Sequence, residues 1–193
     1  STFSMPGTAL FGLAVSSHSI TRTATAVFEQ VRVTQGSELL PSGWSTRDVG
    51  AVGTAGSSSS ASGLFTVRGA GQDIWGTADA LHFAYRTLNG DGAIVARVAS
   101  IAGSEAWTKA GVMMRGGAGE GAAHATMLVS LSKGLAFQRR KASGGLSAHT
   151  SGGTGTAPRW VRLVRTGNVV TASVSTNGTA WTTVGSDTIA LPG

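Results

Sequence analysis

The chain has 193 residues, enough for one domain with a full core, and its lack of cysteine excludes a disulfide frame, a thiolate nucleophile and a Cys-ligated zinc. Charged residues are only 12%, about half the usual share, while Gly (29) is abundant and Pro (4) scarce, which excludes a disordered chain and suits short strands joined by glycine turns. The net charge of +6 comes from twelve Arg and three Lys, scattered except for Arg139-Arg140-Lys141. A polyanion site on that tripeptide is therefore a minor reading, and nucleic acid is not an expected partner.

Alternation dominates from the start, and no segment holds a 3.6-residue apolar period over three turns. Phe11, Leu13 and Val15 share one strand face; Ala24, Ala26 and Phe28 share the next. Val31 and Val33 continue that face only if a bulge intervenes, because the step from Phe28 to Val31 breaks the period of two. Residues 34–43 (TQGSELLPSG) read as a linker that can reach roughly 33 Å when extended.

A second run starts at Trp44. Residues 57–62 form a Ser/Ala tract, a loop or sheet edge, and 69–76 form a Gly-rich turn holding Trp75. Leu81 to Leu88 is a strand with Phe83 and Tyr85 on one face and His82, Ala84 and Arg86 on the other. Asn89-Gly90-Asp91-Gly92 is a hairpin signal, since Asn-Gly accepts positive φ cheaply, and residues 94–101 are its expected partner strand. Further strands follow at Lys109 to Arg115, 124–131, 134–140, 160–165, Val169 to Ser175 and 181–184, with Asn177-Gly178 as another hairpin turn. Eleven or twelve such strands are best buried as two stacked antiparallel sheets.

The two ends of the chain rhyme. Thr188-Ile189-Ala190-Leu191-Pro192-Gly193 repeats the pattern of Thr2-Phe3-Ser4-Met5-Pro6-Gly7, so the chain reads as one period of a longer repeat, with chance recurrence of a strand end as the alternative.

Four linked motifs then suggest a family. They are Gly71-Gln72-Asp73-Ile74-Trp75-Gly76-Thr77-Ala78-Asp79, Gly90-Asp91-Gly92-Ala93-Ile94-Val95-Ala96-Arg97-Val98, Trp107-Thr108-Lys109-Ala110-Gly111-Val112-Met113-Met114-Arg115 and Ala136-Phe137-Gln138-Arg139-Arg140. Together they resemble the DUF1349-like bacterial domains, modules of large secreted proteins with a concanavalin A-like jelly-roll sandwich. The resemblance runs over nearly all of residues 44–193. It implies an all-β, antiparallel two-sheet jelly roll and a secreted, extracellular or cell-surface setting. It also implies that residues 1–33 correspond to the family's closing strands, so the chain is circularly shifted: closing strands at 1–33, linker at 34–43, main body at 44–193. Those strands, marked by Phe11, Leu13, Val15, Phe28, Val31 and Val33, either close this chain's own sandwich or close a neighbour's. The second arrangement is strand complementation, which propagates head-to-tail into a filament or tandem array.

Catalysis has little support. Nine acids include no Glu-x-Asp-x-x-Glu cluster, and no nucleophile elbow or zinc helix is present. No cofactor is required; calcium is the one that the acids in Gly-rich turns, Asp73, Asp79 and Asp91, would suit, with Asx-turn capping as the plainer alternative. A glycan site would draw on Lys109, Arg115, Gln138 and Arg140 of the polar sheet face, His82 and His124 nearby, and Trp75 and Trp107 in adjoining loops. The alternative is that the two Trp plug the sandwich ends and the Arg pair with acids. Ser175-Thr176-Asn177-Gly178-Thr179-Ala180-Trp181 resembles the hairpin of Asp-box repeats and reads as structural. The expected function is a noncatalytic extracellular structural or adhesive module, partnered by copies of itself or adjacent repeats. The alternative is a carbohydrate-binding module recognising extracellular polysaccharide. No apolar run reaches the roughly 18 residues of a membrane span.

Overall fold

A computed structural model describes residues 9–35, 38–39, 43–61 and 63–192. The apolar-Pro-Gly segment at 2–7, linker residues 36–37 and 40–42, and the side chain of Val33 lie outside the described residues.

The described chain is all-β: β1 (Ala9–Ser16), β2 (Ser19–Gln35), β3 (Glu38–Leu39), β4 (Ser45–Val49), β5 (Ser57–Ala61), β6 (Leu64–Gly71), β7 (Ile74–Trp75), β8 (Ala78–Asp79), β9 (Leu81–Leu88), β10 (Gly92–Ala102), β11 (Lys109–Arg115), β12 (His124–Ser130), β13 (Leu135–Arg140), β14 (Ser147–Ser151), β15 (Arg159–Thr166), β16 (Val169–Ser175) and β17 (Thr182–Thr188). A front sheet runs β14-β13-β12-β11-β1-β9-β4, and a back sheet runs β17-β16-β15-β10-β2-β6-β5. All pairings are antiparallel, and the sheets pack as a jelly-roll-like sandwich. No helix is long and apolar enough to cross a membrane among the described residues.

The two N-terminal strands hold central places in both layers. β1 lies between β9 and β11, with Leu13 opposite Ala84 and Val112. β2 lies between β10 and β6, with Phe28 opposite Val98 and Phe65. Phe11, Leu13, Val15, Ala24, Ala26 and Phe28 are fully buried in the core between the sheets, because alternate residues of each strand point inward. The bulge expected after Phe28 is present. The register passes from Arg97↔Glu29 to Val95↔Arg32, so Gln30 and Val31 together face one residue of β10, and Gln30 takes φ +49°. Residues 34–35 extend β2 and pair with β3, so the segment read as a linker begins as a short hairpin.

The Asn89–Gly92 turn is not a hairpin. β9 belongs to the front sheet and β10 to the back sheet, and the two do not pair. Leu88 and Ile94 enter the same core from opposite layers, so the turn is a corner carrying the chain from one sheet to the other. The Asp91 carboxylate fixes it by accepting the Gly167 N–H at 2.6 Å. The Asn177–Gly178 turn does join a pair, β16 and β17.

The outer face of the front sheet is also covered. Ala14, Leu81, Phe83 and Met113 on that face form a second apolar cluster with Val49 and with Ile74 of the small β7–β8 hairpin. The C-terminal tail closes the far end: Ile189 and Leu191 are buried, and Arg165 donates to the carbonyls of Leu191 (3.1 Å) and Pro192 (2.7 Å).

Candidate functional site

Beneath the β7–β8 hairpin lies a buried ion cluster. Strand pairing places Arg115, His124 and Arg140 on one cross-strand row of the front sheet's outer face, β11 to β12 to β13. All three are fully buried, as is the carboxylate of Asp79 on β8. Arg140 grips Asp79 from Nη2 at 2.7 Å and Nη1 at 2.9 Å, and Arg115 Nη1 reaches it at 3.3 Å. Two guanidiniums exceed one carboxylate, and backbone dipoles make up the difference. Arg140 also donates to the carbonyls of Trp75, Gly76, Glu120 and Ala122, and Arg115 to those of Gly117 (2.7 Å) and Gly119 (2.6 Å). The cluster thus pins two loops, 72–80 and 116–123, onto the sheet. His124 shares this burial. Burial pushes its pKa down to about 4; Asp79 pulls it up, and the Arg140, Arg115 and Lys109 charges push it further down.

Sequence alternation put Arg115, Arg140 and His124 on a face pointing away from the inter-sheet core, which is correct, but that face is roofed and these groups are not open to a glycan. His82 is displaced further. It faces the opposite layer, wedged between the sheets in space left by Gly56 and Gly69, where an added Cβ would stand 2.4 Å and 2.8 Å from its side chain. Its ring is held by Asp48 at 2.7 Å and Ser58 at 3.0 Å. In the basic tripeptide, Arg139 and Lys141 both pair with Asp187, and Arg140 is consumed as above.

The remaining predicted residues do come together. Trp75, Trp107, Lys109 and Gln138 line a pocket of about 400 Å³ with His18, Asp73 and His149. Lys109 and Gln138 form its buried floor: Lys109 Nζ ion-pairs with Asp73 and donates to Gln138 Oε1 at 3.0 Å and Ile74 O at 3.3 Å. Desolvation lowers the Lys109 pKa, with Asp73 acting against it. Gln138 Nε2 lies 3.5 Å from His149 Nδ1. His149 is edge-on to both indoles, 6.5 Å from Trp75 and 6.1 Å from Trp107. Partial burial and the Lys109 and Arg139 charges lower its pKa, so it presents a neutral imidazole. His18 enters from the β1–β2 turn in a left-handed conformation, φ +58°, with Nδ1 3.4 Å from Asp73. A second cavity of about 370 Å³ adjoins this pocket and shares His18, Asp73 and Trp75 with it.

Sequence reasoning missed His18 and His149 as site residues. His18 ends Gly12-Leu13-Ala14-Val15-Ser16-Ser17-His18, a pattern read only as part of the closing strands, and His149 lies on an edge strand (SAHTS) with no apolar alternation. The three acids considered for calcium have separate partners: Lys109 and His18 for Asp73, two Arg for Asp79, and a backbone N–H for Asp91. Among the described residues, no three His, Asp or Glu side chains gather where one cation would reach them.

No family model, curated protein or solved structure matches the chain.

Two outcomes follow from the ion cluster. Asp79→Asn leaves two guanidiniums buried without a counter-ion and should cost about 3–5 kcal/mol, read from urea unfolding at neutral pH; a loss under about 1 kcal/mol would show that the carbonyls suffice. For His124 the folded pKa lies below the unfolded one. The unfolded state therefore binds the extra proton between about pH 6.5 and 4, and stability falls across that window as pH drops. The loss is on the order of 3 kcal/mol. His124→Gln should flatten it, and an unchanged slope in that variant would assign the pH dependence elsewhere.

Proposed function

We propose that this chain is a noncatalytic carbohydrate-binding module of an extracellular protein, taking a polysaccharide along the groove of the two adjoining cavities at Trp75. The observation that carries this reading is the pairing of two indoles, Trp75 and Trp107, around a buried polar floor of Lys109 and Gln138. Indoles meet the C–H faces of sugar rings, and a fixed ammonium and amide select hydroxyls. The adjoining cavity suits a chain rather than a single sugar. Three acids line the two cavities, but Asp73 is ion-paired to Lys109 and Asp79 to Arg115 and Arg140, which leaves Glu120 without a second free acid, whereas glycoside hydrolysis calls for two acids acting as a pair. The likeness of four motifs to DUF1349-like domains supports a secreted setting and a concanavalin A-like ancestry.

A second reading, the structural module joined by strand complementation, has its own support. β1 and β2 fill the middle of both sheets, yet both precede the rest of the body in sequence. Pro192 lies against Gly116, the residue after Arg115, and Arg115 pairs with Leu10 near the start of β1. Pro192 thus lies beside the start of β1, the place at which a neighbour's strands would enter.

Calorimetric titration against a panel of neutral soluble polysaccharides should find a binder, with Trp107→Ala weakening it at least tenfold (about 1.4 kcal/mol) while the unfolding midpoint is kept. Absence of binding across the panel, or equal binding by the variant, would remove the pocket reading. Refolding at rising protein concentration, followed by sizing, should yield an increasing fraction of dimers and longer species if strands exchange. A monomer at every concentration sinks strand complementation.

A further inference from the structure

The opposite face of the sandwich carries a cavity of about 300 Å³ that the groove does not involve. It lies on the outer side of the back sheet, lined by Arg32, Val95, Trp160, Arg162, Trp181 and the tip of the β16–β17 hairpin. Val95 pairs with Arg32 on one side and Arg162 on the other, so two guanidinium side chains stand on one row, two strands or roughly 9–10 Å apart. No acid lines the cavity. The nearby Glu29 is committed to Arg97, and among the described residues no carboxylate pairs with Arg32 or Arg162. Arg162 is preset: its guanidinium lies 4.2 Å from the Trp181 ring centroid, and its Nε is buried without a hydrogen-bond partner.

Both indoles are already in use on one face. Arg162 covers Trp181, and the hairpin backbone lies flat on Trp160, where a Cβ on Gly178 (φ +78°) would stand 2.7 Å from the ring. What the cavity offers a ligand is therefore charge and directed N–H donors rather than a broad stacking platform. An anion seated between these two guanidiniums would accept charge-assisted hydrogen bonds from both. Planar guanidinium forks fit the oxygens of a carboxylate or sulfate.

We propose that this cavity is a subsite for the carboxylate or sulfate group of an acidic polysaccharide, held between Arg162 and Arg32. The site is separate from the Trp75–Trp107 groove, and the test keeps the two apart. The probes are an oligogalacturonate (carboxylate) and a chondroitin sulfate hexasaccharide (carboxylate and sulfate), titrated at about 50 mM and about 200 mM salt beside a single-stranded oligonucleotide. The intact chain should bind at least one of the two glycans, more weakly at the higher salt. Arg32→Gln and Arg162→Gln should each weaken that binding about tenfold and flatten its salt dependence, while Trp107→Ala leaves it unchanged. Arg32 is exposed, so its variant keeps the test valid even if loss of the Trp181 stack disturbs the hairpin in Arg162→Gln. The proposal is overturned if neither glycan binds at the lower salt, if Arg32→Gln binds like the intact chain, or if the oligonucleotide binds as tightly as the glycans.

Discussion

Asp79 is the residue on which the roofed outer face of the front sheet hangs. A carboxylate with no solvent exposure draws two buried guanidiniums from different strands to one point. Neither Arg would tolerate that burial alone, and Asp79 alone does not balance them. The residual positive charge is met by backbone carbonyls, and the supply of carbonyls is what brings the loops in. The loops are thus held less by their own sequence than by the demand of Arg115 and Arg140 for acceptors. His124 completes the set by remaining neutral, because burial strips its charged form of water and two guanidiniums stand beside it.

The groove inherits its geometry from this cluster. Arg140 holds the carbonyls of Trp75 and Gly76, which sets the height at which the Trp75 ring leaves the sheet. Ile74, one residue earlier, is buried in the apolar cluster on the same face, so the hairpin is fixed by a charge on one side and an apolar plug on the other. Lys109 lies on the same outer face as Arg115, and its amine is positioned by Asp73 from the same hairpin. Residues 73–79 thus supply both Trp75 of the aromatic wall and the Asp73 carboxylate that holds the Lys109 amine of the floor.

Much of the fold was legible because alternation is a local signal. The burial of Phe11, Leu13 and Val15, the strand at Lys109 to Arg115 and even the bulge between Phe28 and Val31 follow from counting in twos. The strands that escaped are edges and the small β7–β8 hairpin, which lay in the segment read as a Gly-rich turn. Ser147–Ser151 has no apolar period, since an edge strand is held by its neighbour's backbone; Ser57–Ala61 read as either loop or edge for the same reason. The Asn89–Gly92 turn shows a different limit. Asn-Gly specifies a tight reversal, but whether the chain returns in the same sheet or crosses to the other depends on core packing of Leu88 and Ile94, which is nonlocal. The site divided the same way. Alternation gives the face a side chain takes and does not reveal a roof, so Arg115 and Arg140 read as open when they are roofed; His82 was set by alternation opposite Phe83 and Tyr85 and read as polar-facing, but it is the Phe83 face of β9 that turns outward under an apolar cover and the His82 face that turns inward.

The groove and the N-terminal strands are physically one question. The β1–β2 turn is tied to the body at the groove's rim: Ser16 Oγ donates to Gly71 O at 2.9 Å, Thr108 Oγ1 donates to Ser17 O at 3.1 Å, and His18 stands against Asp73. Thr108 lies between Trp107 and Lys109, and Gly71 is two residues from Asp73. Undocking β1 and β2 would therefore remove His18 from the groove and release the segments that carry its wall and floor. Whichever body those strands close, His18 reaches the groove only where they are docked, so under the proposed function a ligand and strand insertion would stabilise each other by linkage. A sugar bound at Trp107 would hold the sandwich closed, and a sandwich closed by a neighbour's strands would bind with the neighbour's His18.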